Sequence, residues 1–238
     1  MKIMNYEVFT KDLNTLDLTK RQVINTINPH SYVTAKDDKL FFDALHDSDL
    51  LIPDGSGIVI SANFINKQSI KKIAGAQLHQ FLLESMEKIS GKVFYMGASQ
   101  KTLDKIHEKM KIEYPNIIVE SYSPPFKAEF SSDENQVIID KINDFNPHVL
   151  FIGMTAPKQE KWLHNHKAKL NFTISSSIGA VFDFYAGTVE RPSDFWVDIH
   201  LEWLGRLIKE PKRMWRRNFV SSPLFLFDML LFKLGIKK

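Results

Sequence analysis

The chain has 238 residues, 44% hydrophobic and 25% charged, with 10 Gly and 10 Pro; this balance excludes disordered, collagen-like and low-complexity classes and fits one large α/β unit or two small ones. The formal charge of +3 is unevenly spread, because residues 201–238 carry nine Lys/Arg against three Asp/Glu and leave a mildly acidic body ahead of a basic tail. Without cysteine, disulfides, thiolate metal sites and cysteine nucleophiles are excluded.

Taken in chain order, the N-terminal stretch MKIMNYEVFTKDLNTLDL has no uninterrupted apolar run behind its early lysine, so no secretory signal is expected. Val23–Ile27 and Leu50–Ile52 read as strands, with a moderately periodic helix over Ser31–Leu45 between them. Lys92–Gly97 reads as a buried strand, Ser99 as an N-cap, and Leu103, Ile106 and Met110 as the apolar stripe of the helix that follows. Ile117–Val119, Val149–Gly153 and Phe172–Ile178 are further strands, and helices are expected over Gln136–Phe145 and Lys158–Leu170. This alternation predicts an α/β fold: a Rossmann-like, doubly wound parallel sheet with helices on both faces, over residues 1–190. Residues 191–238 are read as a basic, amphipathic helical appendage. Its apolar window, Pro223–Ile236, is shorter than the ~20 residues of a spanning helix and contains Asp228 and Lys233, so spanning is not expected.

Open parallel sheets bind ligands beyond the carboxyl ends of their strands. Four strand ends stand out: Thr26-Ile27-Asn28, Pro53-Asp54-Gly55, Gly97-Ala98-Ser99 and the run from Gly153 to Glu160. Glycine there lets backbone approach a phosphate, and a helix starting near Lys158 offers free N–H groups to an anion, so a nucleotide diphosphate fits. Tight βα turns at Gly97 and Gly153 are the plain alternative. Neither G-x-G-x-x-G nor a Walker loop is present, and Gly55-Ser56-Gly57 is not a nucleophile elbow. Asp54, behind a strand and beside Ile52, suits a general base, or else forms a Pro-Asp-Gly turn. Asp47-Ser48-Asp49 precedes its strand and reads as a surface turn. His164 and His166 point to different sides of a helix, and no metal site is expected. In the tail, Arg206, Lys209, Arg213, Arg216 and Arg217 recur at near-helical spacing among apolar residues. Gathered arginines suit phosphate and the adjacent apolar segment suits a lipid interface, although a solvated helix face has the same pattern. A nucleic-acid partner would leave Asp54 and the Pro-Lys-Gln-Glu loop without a task, and none is expected.

Five ordered motifs, TINPH at Thr26, LLIPDGSGIV around Asp54, FIGMTAPKQEKW around Gln159, IGAVFDFYAGTVERP around Asp183 and EWLGRLIKEPKRMWRR from Glu202, together closely resemble the WecG/TagA/CpsF glycosyltransferases from about Val23 to Phe225. The resemblance implies an inverting, metal-independent enzyme without a cofactor, peripheral on the cytoplasmic face of the plasma membrane. It would move a sugar from a UDP-sugar to a polyprenyl-diphosphate-linked saccharide, building a polymer such as teichoic acid, enterobacterial antigen or capsule. Asp54 would be the general base, with Thr26, Asn28 and Gln159 beside it in the active site. Substrate contacts are expected at Lys72, Gln77, Gly97, Ser99, Phe126, Gly153, Pro157, Lys158, Glu160 and Asp183. Arg206, Arg213, Arg216 and Arg217 would close over the diphosphate at an anionic membrane surface. Two departures stand out. The usual Arg-Val-x-Gly-x-Asp-Leu is here Lys72 to Leu78, so Lys72 keeps charge without the bidentate fork and Gln77 loses the acid. The usual Gly-Tyr-Phe is here Pro124-Pro125-Phe126. A non-catalytic nucleotide-sugar-binding protein of the same fold is the alternative, and a homo-oligomer is left open.

Overall fold

A computed structural model describes residues 1–189 and 211–237, with the side chains of Lys212 and Arg213 outside that description. Its first element is a short hairpin of β1 (Lys2–Ile3) and β2 (Tyr6–Glu7), which periodicity left unread. Six strands follow: β3 (Gln22–Ile27), β4 (Leu50–Pro53), β5 (Lys92–Gly97), β6 (Ile118–Tyr122), β7 (Val149–Gly153) and β8 (Ile174–Ser177). All pair in parallel, in the order β4-β3-β8-β7-β5-β6. The expected Rossmann-like architecture is therefore present.

The strand sequences explain why both faces are covered. Val93, Tyr95, Val149 and Phe151 point to one face, where Leu78, Leu82 and Met86 of α4 (Gly75–Glu87) and Leu103, Ile106 and Met110 of α5 (Gln100–Glu113) complete the layer. Their alternating neighbours Phe94, Met96, Leu150 and Ile152 face α6 (Ser132–Phe145) and α7 (Lys158–His166). With side chains of period two and cover on each side, the central strands need unbroken apolar runs.

Instead of the expected single helix over Ser31–Leu45 there are two, α1 (Pro29–Asp37) and α2 (Lys39–His46). Asp38 separates them: its backbone is extended, and its carboxylate accepts the Phe41 N–H at 3.0 Å and a Lys161 ammonium at 2.9 Å. The helix expected from Gln136 starts earlier, at Ser132, because Ser131 and Glu134 form a reciprocal cap. Asp49 accepts the Val23 N–H at 2.7 Å and His164 sits 3.1 Å from Asp47, so the acidic turn and that histidine serve the structure at the other end of the sheet.

The third layer joins α3 (Ser56–Asn66) and the C-terminal segment, which comprises α9 (Pro211–Trp215), a π-helical turn (Arg216–Ser221) and α10 (Ser222–Lys233). Phe225 and Met229 of α10 are buried with Tyr32 and Ile58 in one cluster, and Phe225 meets Tyr32 edge-on at 5.3 Å between ring centroids. Asp228 Oδ2 accepts from Lys36 and Lys237 at 2.8 Å and from Tyr32 Oη at 3.1 Å. Burial opposes ionisation of Asp228, but the two lysines prevail and hold it below the usual carboxylate range. The opposite side of the segment exposes Leu226, Phe227, Leu230 and Leu234. Among the described residues no helix is long and apolar enough to cross a membrane.

Candidate active site

Helices α1, α3, α5 and α7, and the short α8 (Gly179–Tyr185), begin within a few residues of the ends of β3, β4, β5, β7 and β8. Their N-terminal N–H groups therefore gather at the carboxyl edge of the sheet, where the dipoles favour an anion. Two cavities open there. One, of about 170 Å³, is walled by Thr26, Asn28, Asp54, Gln159, Glu160 and Arg217, with Pro157 at its border. The other, of about 940 Å³, is walled by Gly97, Ser99, Phe126, Gly153, Lys158 and Asp183. Met154, Gly179 and Ala180 belong to both, so the cavities adjoin across the loop after β7 and the start of α8.

Asp54 reaches the first cavity because its N–H donates to Ile27 O at 2.9 Å, extending the β3–β4 ladder past Pro53. Gly55 then takes φ of +96°, which costs glycine little and any side-chain-bearing residue more. Asn28 caps α1: Oδ1 accepts from His30 N–H and Ser31 N–H at 3.0 Å each, while Ser31 Oγ accepts the Asn28 N–H at 2.8 Å. This reciprocal cap holds the Thr26–Asn28 strand end against the cavity.

Gln159 is buried, and its polar atoms are used on the protein itself. Oε1 accepts from Met154 N–H and Gly179 N–H, each at 3.1 Å, and Nε2 donates to Glu160 Oε1 at 2.9 Å. It ties the loop after β7 to the start of α8, which makes it a positioning residue. Glu160 Oε2 is buried without a hydrogen-bond partner among the described residues. Burial pushes the Glu160 carboxyl up to about 7, partly offset by the bond from Gln159. Because the folded state holds this proton more tightly than the unfolded chain, stability falls as pH rises from about 4.5 through 7. Glu160→Gln is expected to flatten that dependence and to stabilise the protein at pH 8 by on the order of 2–3 kcal/mol, measured by urea unfolding across pH 5–8.

In the larger cavity, Gly97 and Gly153 do more than turn the chain. Ala98 N–H donates to Gly153 O at 2.8 Å; a Cβ on Gly97 would overlap that carbonyl, and one on Gly153 would overlap the Phe182 ring. Ser99 caps α5 by accepting the Thr102 N–H at 3.2 Å, as expected. Asp183 Oδ1 accepts from Thr102 Oγ1 at 3.3 Å and Thr188 Oγ1 at 3.1 Å. Lys158 Nζ donates to Lys127 O at 2.6 Å and lies 3.7 Å over the Phe130 ring. Burial, then the nearby Lys127, lowers its pKa from the usual lysine range. Phe126 is fully exposed at the rim.

Other expected residues lie elsewhere. Lys72 and Gln77 are exposed and belong to neither wall. Gln77 Oε1 instead accepts the Ala74 N–H at 2.8 Å at the start of α4, a task an amide performs as well as an acid. Arg216 is exposed outside both walls; Arg206 and the Arg213 side chain lie outside the described residues. Sequence reasoning missed His30 and Gly179, both in the first wall. Gly179 carried a usable signal: like Gly97 and Gly153, it stands where an apolar strand runs out.

The sheet and its helices define a Rossmann-like α/β protein, with two cavities at the carboxyl edge where open parallel sheets bind ligands. Residues 2–238 match the model of the glycosyl transferase WecG/TagA/CpsF family. The chain belongs to this family, as its five motifs led us to expect. It is 31% identical over 208 residues to an N-acetylglucosaminyldiphosphoundecaprenol N-acetyl-beta-D-mannosaminyltransferase of Bacillus subtilis, covering 87% of this chain and 78% of that protein. Proteins of the same name from Bacillus spizizenii (30% identity, 93% and 84% coverage) and Staphylococcus aureus (25%, 92% and 84%) are also similar.

Proposed function

We propose that the protein transfers an N-acetylmannosaminyl group from a UDP-linked donor to N-acetylglucosaminyl-diphospho-polyprenol, inverting the anomeric carbon, in the synthesis of a cell-surface polymer. The observation that carries this reading is the position of Asp54 in a cavity that adjoins a larger, glycine-lined one across Met154, Gly179 and Ala180. The relatives' names supply the sugar and the acceptor. In this reading UDP occupies the larger cavity, where Asp183 accepts from its polar groups and Lys158 meets its phosphates. The donor sugar crosses into the smaller cavity, beside the acceptor held by Thr26 and Asn28.

Asp54 takes the proton of the acceptor hydroxyl as that oxygen bonds to the anomeric carbon. The bond from that carbon to UDP breaks on the opposite face, and UDP leaves with the electron pair. An α-linked donor then yields a β-linked product. Charge developing on the diphosphate is met by Arg217, Lys158 and the gathered helix N-termini. In this reading the step uses no divalent ion.

A panel of UDP-sugars with a GlcNAc-diphospho-lipid acceptor, reading UDP release with and without chelator, tests the proposal. Chelator-resistant release with UDP-N-acetylmannosamine and acceptor together is expected. Binding without release would instead identify a non-catalytic nucleotide-sugar-binding protein.

The acceptor is lipid-linked in this reading, so the enzyme works peripherally at the cytoplasmic membrane face. The exposed apolar side of α10, together with the exposed Lys233, makes the contact, the lysine contributing about 1 kcal/mol near anionic lipid. Truncation is a poor test, because it removes the buried Phe225 and Met229. Phe227→Glu with Leu230→Glu is expected to abolish flotation with anionic vesicles while leaving the thermal midpoint within a few degrees. Undiminished flotation would place the contact elsewhere.

A further inference from the structure

The π-helical turn between α9 and α10 carries Arg217, the only C-terminal arginine that the description places in the Asp54 cavity wall. Turns of this kind are rare and recur at functional sites, because the extra residue re-aims side chains relative to the adjoining helix. Two neighbouring serines hold this one. Ser222 Oγ and Ser222 N–H both donate to the Arg217 carbonyl, the hydroxyl at 3.0 Å. Ser221, 2% exposed, has its Oγ 2.8 Å from His30 Nδ1. His30 lies in the first turn of α1, where its N–H donates to the capping Asn28, and it lines the same cavity.

We propose that His30 is a positioning residue for Arg217: through Ser221 it fixes the π-helical turn so that the guanidinium is presented, from the wall of the Asp54 cavity, to a diphosphate. This rests on the reading above, in which Arg217 meets such a group. The imidazole is suited to the task because it stays neutral. Burial, followed by the charges of Arg217 and Arg216, lowers its pKa to about 4, so it bonds Ser221 without adding a cation beside two arginines. The Asp228 cluster that docks α10 on α1 holds the far side of the turn, leaving His30–Ser221 as a side-chain tie close to the cavity. The diphosphate belongs either to the UDP donor or to the lipid acceptor, and the shared chemistry is a pyrophosphate gripped by a guanidinium.

The test uses the full chain and competitive inhibition by UDP and by uridine. Ser221→Ala and His30→Leu are each expected to weaken UDP about tenfold while moving uridine by less than twofold, and His30→Gln, which can still bond Ser221, to recover most of the loss. In an Arg217→Ala background, Ser221→Ala should add nothing. A loss confined to UDP marks the donor diphosphate; a rise confined to KM for the lipid acceptor marks the acceptor diphosphate, and either supports the tie. Equal weakening of UDP and uridine, a full additional loss in the Arg217→Ala background, or unchanged kinetics in both single variants would overturn it. If Arg217→Ala alone alters neither UDP inhibition nor the acceptor KM, the reading of Arg217 fails together with the tie, a result separable from failure of the tie alone. Thermal midpoints of all variants identify any that fail to fold, and Ser221→Ala, the smallest change, carries the decision if His30→Leu is among them.

Discussion

Asp54→Asn is expected to lower turnover at least about a hundredfold while leaving the affinity for UDP within a factor of two or three. The magnitude is that of losing a general base whose proton transfer accompanies bond formation. Asparagine has nearly the same shape, and the Asp54 N–H bond to Ile27 O, which places the residue, is a backbone bond that the substitution leaves alone. The separation between binding and chemistry follows from the layout, since Asp54 belongs to the smaller cavity and the nucleotide is assigned to the larger. Single-turnover measurement of UDP release, together with UDP titration, checks both halves. Near-normal turnover would remove Asp54 from the proton transfer. A loss of UDP affinity equal to the loss of rate would mean that the two cavities are not divided as proposed.

The strand-end residues were legible because the rule behind them is local: an apolar run that stops at glycine or aspartate predicts both the end of a strand and what it carries. Thr26, Asn28, Asp54, Gln159 and Glu160 come together accordingly. Strand order was less legible. Nothing in the period of Ile174–Ser177 says that this strand lies between β3 and β7, yet that insertion puts Gly179 beside Gln159. Helix ends set by one capping side chain were also lost, as at Asp38, where a carboxylate hydrogen bond divides what reads as one helix. In the tail, α10 is apolar almost all round, so periodicity could not separate Phe225 and Met229, which complete the core, from Phe227 and Leu230, which face outward. At Gln77 the position in the family motif pointed to a substrate; the hydrogen bond from the Ala74 N–H gives the side chain a structural task at the start of α4.

Gly179→Ala should abolish most activity without unfolding the protein, reducing kcat/KM by about a hundredfold, the scale associated with displacing reacting groups by about 1 Å. A Cβ at this position would overlap Met154 O and lie 2.6 Å from Gln159 Oε1. Both are parts of the tie between the cavities, so the added methyl cannot be relieved by rotating an exposed side chain. Either the loop after β7 moves away from α8 or Gln159 gives up Met154 N–H and Gly179 N–H, each worth about 1–3 kcal/mol if left buried and unpaired. The surrounding core gives the fold its tolerance: Ile174, Ile178 and Phe182 on either side of Gly179 are buried in the main cluster. Gln159→Ala separates the two consequences. It deletes the acceptor without forcing the backbone apart, so it should cost less activity than Gly179→Ala if loop displacement dominates, and as much if the acceptor itself does. Equal stability of the two variants by urea unfolding, with the larger catalytic loss in Gly179→Ala, would assign the effect to the geometry of the wall shared by the two cavities.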